Sequence, residues 1–330
     1  MRPTAATKTV IVTGGNAGLG EQCARTIAAD HSWHIVIAGR DAERAQASVA
    51  RLVAETGNHA VEALPLDLAA LASVRAFARE YSERARPPLR ALVCNAGIQI
   101  ARGITYTTDG FETMFGVNHL GHFLLAHLLL QQLVAPARIV VVSSGTHDPA
   151  SIDGRFNAPI YRNAPSLAWP ERPGAPWMSG IRRYATSKLC NLFFAYELDR
   201  RLRESGLSRP AASITVNAYD PGATPGTGLV RQYPAPVRAL WTSPLTSRAL
   251  RALGLRVYDV ATSGAAMARL VLDPALEGVS GRYFHVHAEA PSSRESHDRQ
   301  KARELWDASV AMVRLAAEET PLPLQERVLV

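Results

Sequence analysis

Lysine is almost missing from this sequence. Of 36 Lys plus Arg, only three are lysine, at positions 8, 188 and 301, and all the rest are arginine. Cysteine is as scarce. Cys23, Cys94 and Cys190 are too few and too scattered for a disulfide framework or a zinc site, and no metal is expected. Each falls in an apolar, regular-looking stretch, which fits buried thiols in a reducing compartment. Long apolar runs are also lacking. The most apolar window, HFLLAHLLLQQLVAP at 122–136, is broken by His127 and a glutamine pair, too short and too polar to span a bilayer. The opening MRPTAATKTVIVTGG runs straight into a strand-like segment without a signal-peptide pattern, so a cytoplasmic protein is expected. The net charge of +7 favours acidic partners, yet no long basic block and no basic stripe interleaved with aromatics occurs. Dispersed arginine reads as a solvated surface, and no nucleic-acid partner is expected.

What is present is alternation. Short β-branched runs at 9–13, 34–38, 60–66, 91–94, 139–143, 213–218 and 282–285 read as strands. Between them lie helical patterns at 18–29, 41–55, 70–83, a long one ending near 134, and 184–203. Two closing helices follow at 260–272 and 299–315. This rhythm predicts an α/β doubly wound Rossmann fold: a parallel seven-stranded sheet with helices on both faces. A single domain over 1–330 is expected. Residues 8–144 form its dinucleotide-binding half, 145–290 the catalytic and substrate half, and 291–330 a C-terminal helix and tail. Two long insertions, 145–183 with six prolines and 223–258 with four, follow strand ends where open parallel sheets bind ligands. They carry Trp169, Trp177 and Trp241.

VTGGNAGLG at 12–20 joins the first strand to the first helix. Its glycines at 14, 18 and 20 permit a tight turn and close backbone approach, with the helix-start amides facing a pyrophosphate. The second strand ends HIVIAGRDAER. Gly39 and Arg40 stand where an acidic residue would hold the ribose hydroxyls of NAD, and a guanidinium suits a 2′-phosphate, so NADP(H) is expected over NAD(H). Asp41 reads as the cap of the next helix.

Against the arginine habit stands YATSKLCN at 184–191. Nine tyrosines and three lysines in 330 positions give roughly 0.08 Tyr-x-x-x-Lys spacings by chance. With TGGNAGLG at 13–20, Asp67-Leu68, CNAG at 94–97, Asn118, Ser143-Ser144 and Pro221-Gly222, all in order over roughly 8–290, the chain resembles the short-chain dehydrogenase/reductase family. The resemblance implies Tyr184 as general acid–base. It makes Lys188 the partner that lowers the phenol's pKa and holds the nicotinamide ribose, Ser144 the hydrogen-bond donor to the substrate oxygen, and Asn118 the anchor of a water relay. It implies cofactor contacts from Thr13, Gly14, Asn16, Gly18, Leu19, Gly20, Arg40, Asp67, Leu68, Asn95, Ala96, Gly97, Pro221, Gly222 and Thr224, besides Tyr184 and Lys188. Lysine suits the position because it is a slim, compact charge that exchanges a proton, whereas arginine is planar and effectively never deprotonated. Ser143 competes with Ser144 for the hydroxyl role.

Within the family, FGVNHLGHFLLAHLLL and IAGRD resemble both retinol-dehydrogenase-like and protochlorophyllide-reductase-like enzymes. The insertion before YATSK, SKLCN, TGLVR and the late SGRYFHVHAEAPSSRESHDRQKARELWDAS look more like the second. Ala223 replaces the cysteine of the plant photoreductases, and Ser144 stands where they typically carry threonine. Gly226 replaces the family's nicotinamide-contacting threonine, leaving Thr224 or Thr227 for that contact.

The expected function is an NADP(H)-dependent oxidoreductase of a carbonyl/alcohol pair on a fairly large apolar or aromatic small molecule. A protochlorophyllide-reductase-like C=C reductase is one alternative, and a non-catalytic dinucleotide-binding protein another. The family's helix pairing leaves a homodimer open.

Overall fold

The computed structural model describes residues 6–152, 154–209, 213–225 and 257–324, and single positions 235, 239, 243, 246 and 248. Thr227, Gly226, Trp241 and most of the second insertion lie outside the described residues. The β-branched runs form β1 (Lys8–Thr13), β2 (Trp33–Gly39), β3 (Val61–Pro65), β4 (Leu89–Cys94), β5 (Leu133–Val142), β6 (Ile214–Asp220) and β7 (Tyr283–His285). An eighth, β8 (Ala288–Glu289), corrects the expected seven: it pairs antiparallel at the sheet edge, and two exposed residues offer no apolar alternation to read.

The sheet order is β3-β2-β1-β4-β5-β6-β7-β8, parallel up to β7. The chain therefore winds outward in both directions from β1 and β4, leaving a crevice at their C-terminal ends. β1 and β6 are buried along almost their whole length because helices cover both faces. One face packs on α1 (Gly18–Ala28), α2 (Ala42–Thr56) and α7 (Val260–Leu272), around Ile27, Leu52 and Met267. The other packs on α3 (Leu71–Glu83), α4 (Thr113–Gln132), α6 (Gly180–Glu204) and α8 (Arg299–Val313), around Phe77, Phe123 and Phe193.

The apolar α4 is long enough to cross a membrane, but 89% of its most apolar window is buried in the protein. Two of its histidines, His119 and His127, serve packing. His119, Phe123 and His127 share one face of α4. Trp306 of α8 lies 5.1 Å from the Phe123 ring and 4.9 Å from that of His127. His119 bonds Ser309 and His127 bonds Thr320, each at 2.9 Å, and burial drives both imidazoles down to about 3, so they are neutral. The C-terminal segment thus lies across α4 and α6.

The first insertion is tied down rather than loose. It carries a short helix, α5 (Ala164–Ala168), capped by Asn163. Glu304 of α8 accepts from the Tyr161 hydroxyl and from the Ala164 amide. Trp169 packs 5.7 Å from Phe111, whereas Trp177 is 82% exposed.

Candidate active site

The C-terminal ends of β1, β2, β4, β5 and β6 open into one cleft of about 680 Å³. Every residue expected to touch the cofactor lines it: Thr13, Gly14, Asn16, Gly18, Leu19, Gly20, Arg40, Asp67, Leu68, Asn95, Ala96, Gly97, Pro221, Gly222 and Thr224, together with Ser144, Tyr184 and Lys188. Asn118 does not. It is fully buried behind the Gly97 wall, where a Cβ on Gly97 would lie 3.4 Å from Asn118 Oδ1 and 3.5 Å from Lys188 Nζ.

The glycine loop has the shape its sequence implies. Gly14 is in the left-handed region at φ +64, and a Cβ on Gly20 would sit 2.4 Å from the Gly14 carbonyl. The N-cap of α1 is Ala17, whose methyl group cannot cap the first helical amides. Uncapped amides facing a cleft fit an anionic group such as a cofactor pyrophosphate. The Thr13 hydroxyl accepts from the amides of Asn95 and Ala96, both at 2.9 Å, and Asn95 Nδ2 donates to the Thr13 carbonyl at 2.8 Å. The loops after β1 and β4 are thereby stitched together. At the end of β2, a Cβ on Gly39 would lie 3.3 Å from the Asn16 side chain, so an acidic residue there would crowd the loop. Arg40 and Arg44 both line the cleft. Asp41 caps α2 by accepting from the Arg44 amide at 3.1 Å and pairs with the Arg44 guanidinium at 3.2 Å. Arg44 was not anticipated; its place one turn along the helix from Arg40 was the available signal.

α6 starts at Gly180, four residues earlier than periodicity indicates, because Ser179 caps it by accepting from the Arg182 amide. Tyr184 and Lys188 then fall on successive turns, with Lys188 Nζ 5.7 Å from the Tyr184 ring centroid. Both are buried. Lys188 donates to the Val142 carbonyl at 3.0 Å. Burial pulls its ammonium down to about 8, against an opposing pull from the Asp220 carboxylate. Burial pushes Asp220 itself upward, but hydrogen bonds from His285, Gly222 and Tyr283 hold it below the usual carboxylate range.

The two serines differ. Ser143 spends its hydroxyl on the Lys188 carbonyl at 2.8 Å, whereas Ser144 Oγ accepts from the Thr146 amide at 3.3 Å. Ser144 keeps its own proton for another acceptor. Asn118 lies in a π turn, Gly116–Leu120, within α4. Its Oδ1 accepts from Ile98 N at 2.9 Å, and its Nδ2 donates to Ser187 Oγ at 2.9 Å; Ser187 donates to the Tyr184 carbonyl at 2.7 Å. Ser187 and Thr146 were missed, since neither belongs to a spacing pattern.

The sequence profile described as short chain dehydrogenase matches residues 8–157. Human retinol dehydrogenase 13 is 37% identical over 96% of this chain and 88% of its own length. The chain belongs to the short-chain dehydrogenase/reductase family. Protochlorophyllide reductase A, chloroplastic, of Oryza sativa subsp. japonica is 34% identical over 93% of this short-chain dehydrogenase/reductase and 80% of its own length. These two relatives place the chain in the retinol-dehydrogenase-like and protochlorophyllide-reductase-like subgroup. Among solved structures, an uncharacterized protein from Mycobacterium Paratuberculosis superposes with a TM-score of 0.67 at 29% identity, covering 98% of this chain and 97% of its own. A short chain dehydrogenase from Burkholderia cenocepacia J2315, in complex with NADP, gives 0.61 at 25% identity, covering 85% and 96%. As a member of this family the chain is an oxidoreductase with a nicotinamide dinucleotide site.

Proposed function

We propose that this chain interconverts a carbonyl and an alcohol on a fairly large apolar or aromatic small molecule, using NADP(H) in preference to NAD(H). One observation carries the reading: Ser144, Tyr184 and Lys188 face the same cleft as the glycine loop and Arg40. In reduction, the Tyr184 hydroxyl passes its proton to the substrate oxygen, and the neighbouring ammonium of Lys188 favours the phenolate left behind. The Ser144 proton, not used by Thr146, is available to the oxygen on which charge develops. Asn118 holds the floor loop at Ile98 against the α6 turn that carries Tyr184. When bound, the nicotinamide supplies or takes the hydride.

The cofactor preference rests on two guanidiniums, Arg40 and Arg44, and on the absence of a carboxylate at Gly39. The apolar character of the substrate rests on apolar residues that line the cleft, Ile98 and Val117 among them, rather than on tryptophan. Trp169 is committed to Phe111, and Trp177 faces solvent. Because α8 lies across α4 and α6, a homodimer through those helices is not part of this reading.

The test is a panel of aldehydes, ketones and alcohols assayed with NADPH and NADH by absorbance of the reduced nicotinamide. Turnover of a bulky carbonyl, faster with NADPH, is expected; no turnover with either cofactor rejects the reading. A conjugated C=C is the second reading, supported by the relative named protochlorophyllide reductase. Illumination of the protein with NADPH and that pigment decides it.

A further inference from the structure

His122 is buried, is not among the residues that line the cleft and has no role assigned above, yet it touches both halves of the site. Its Nε2 is 2.9 Å from Thr13 Oγ1, at the end of β1, and its Nδ1 is 3.2 Å from the carbonyl oxygen of Asn118 in the π turn of α4. A carbonyl only accepts, so Nδ1 carries the proton. Burial holds this imidazole neutral, pulled down to about 4, with the hydrogen bond to Asn118 opposing and the Lys188 charge assisting. Nε2 is then a bare acceptor. Thr13 Oγ1 already receives the amides of Asn95 and Ala96, so its single proton is the one left to give. The Val93 carbonyl, at 3.3 Å, is its longer alternative.

We propose that His122 is a positioning residue that locks a one-way hydrogen-bond chain from the cofactor-floor amides, through the Thr13 hydroxyl, to the Asn118 carbonyl. The proposal rests on the oxidoreductase reading for its consequence in turnover, but its geometry stands apart from it. One end registers the Thr13–Asn95–Ala96 floor. The other sets the backbone of Asn118, whose side chain joins Ile98 to Ser187 and hence to the turn of Tyr184. The sequence offers the supporting signal: His122 stands four residues after Asn118, on the same helical face.

Two conservative variants cut the chain at different ends. In His122→Asn the amide nitrogen replaces Nδ1 and keeps the Asn118 bond while the Thr13 bond is lost. In His122→Gln the longer side chain reaches the Nε2 position and keeps the Thr13 bond while the Asn118 bond is lost. The readouts are NADPH affinity by fluorescence titration and kcat with benzaldehyde or the best carbonyl of the panel. His122→Asn should weaken NADPH binding several-fold, roughly the effect of one buried hydrogen bond, with kcat nearly kept. His122→Gln should lower kcat roughly tenfold with affinity nearly kept. A packing role predicts that both quantities fall together in both variants, and that result, or no change in either, overturns the proposal. Nitrogen-15 histidine spectra of the wild-type protein, assigned by the signal lost in either variant, provide the second measurement. A neutral Nδ1–H tautomer for His122 supports the chain, and an Nε2–H tautomer overturns it. The spectra and the affinity arm decide even if no carbonyl is turned over, so a failure of the oxidoreductase reading is separately visible. Should a variant not fold, a wild-type spectrum assigned by exclusion of the other histidines decides.

Discussion

Lys188 and Asn191, one turn apart on α6, donate to the same carbonyl oxygen, that of Val142, at 3.0 and 2.9 Å. Ser143, the next residue in the chain after Val142, returns a hydrogen bond to the Lys188 carbonyl. The end of β5 and the middle of α6 are therefore clasped in both directions, and the ammonium is held at the cleft with little freedom. A buried charge so placed makes its own titration visible in stability.

Lys188 releases its proton in the folded protein at about 8, below the ordinary 10.5. The unfolded chain binds more protons between those values, so this group's contribution to stability rises with pH across that window, and its penalty is complete below it. Lys188→Met removes the penalty. In the ligand-free protein, the variant's unfolding free energy relative to wild type should be most favourable near neutral pH and decline toward pH 10.5. Urea titrations at several pH values measure it, and a difference independent of pH would count against the assignment.

Tyr184→Phe keeps the ring among Ile98, Ile100 and Met114 and removes only the hydroxyl. Turnover should fall by roughly 10²–10⁴, the range of general acid–base contributions, with NADPH affinity within about twofold of wild type. Steady-state kinetics and fluorescence titration separate the two. Unchanged turnover would reject the role proposed for Tyr184.

Arg40 and Arg44 are proposed to meet the 2′-phosphate together. Replacing both by alanine should weaken NADPH binding by roughly 10–100-fold, as expected for loss of charge-assisted hydrogen bonds, and leave NADH nearly untouched. The ratio of kcat/KM for the two cofactors is the measurement. Equal losses for both would place the arginines elsewhere in the mechanism.

Trp306 seals α8 onto the protein, with its ring 6.2 Å from Phe194 and the Arg201 guanidinium 4.5 Å over it. Trp306→Ala should cost about 3–5 kcal/mol by urea unfolding. Light scattering is expected to find the wild-type chain monomeric, and concentration-dependent association only when α8 is loosened. A wild-type dimer in which α4 and α6 are protected would contradict this.

The order of strands and helices, the glycine turn, the capping of α2 by Asp41 and the Tyr184–Lys188 spacing are all local. They follow from periodicity, from the conformational freedom of Gly14 and from the helical repeat, so the sequence by itself determined them. It also supplied the names of the residues that line the cleft, because ordered motifs at strand ends converge in a doubly wound sheet. It did not separate Ser143 from Ser144. Both serines line the cleft, and only the arrival of α6 over β5 decided which hydroxyl gave its proton to the Lys188 carbonyl and which kept it. His122, Arg44 and Ser187 likewise waited for the tertiary structure. A hydrogen bond between β1 and α4 spans 109 residues of chain, and no local spacing encodes it. The same holds for α8, whose cover of α4 and α6 rests on one tryptophan and two buried histidines meeting only after the sheet has formed.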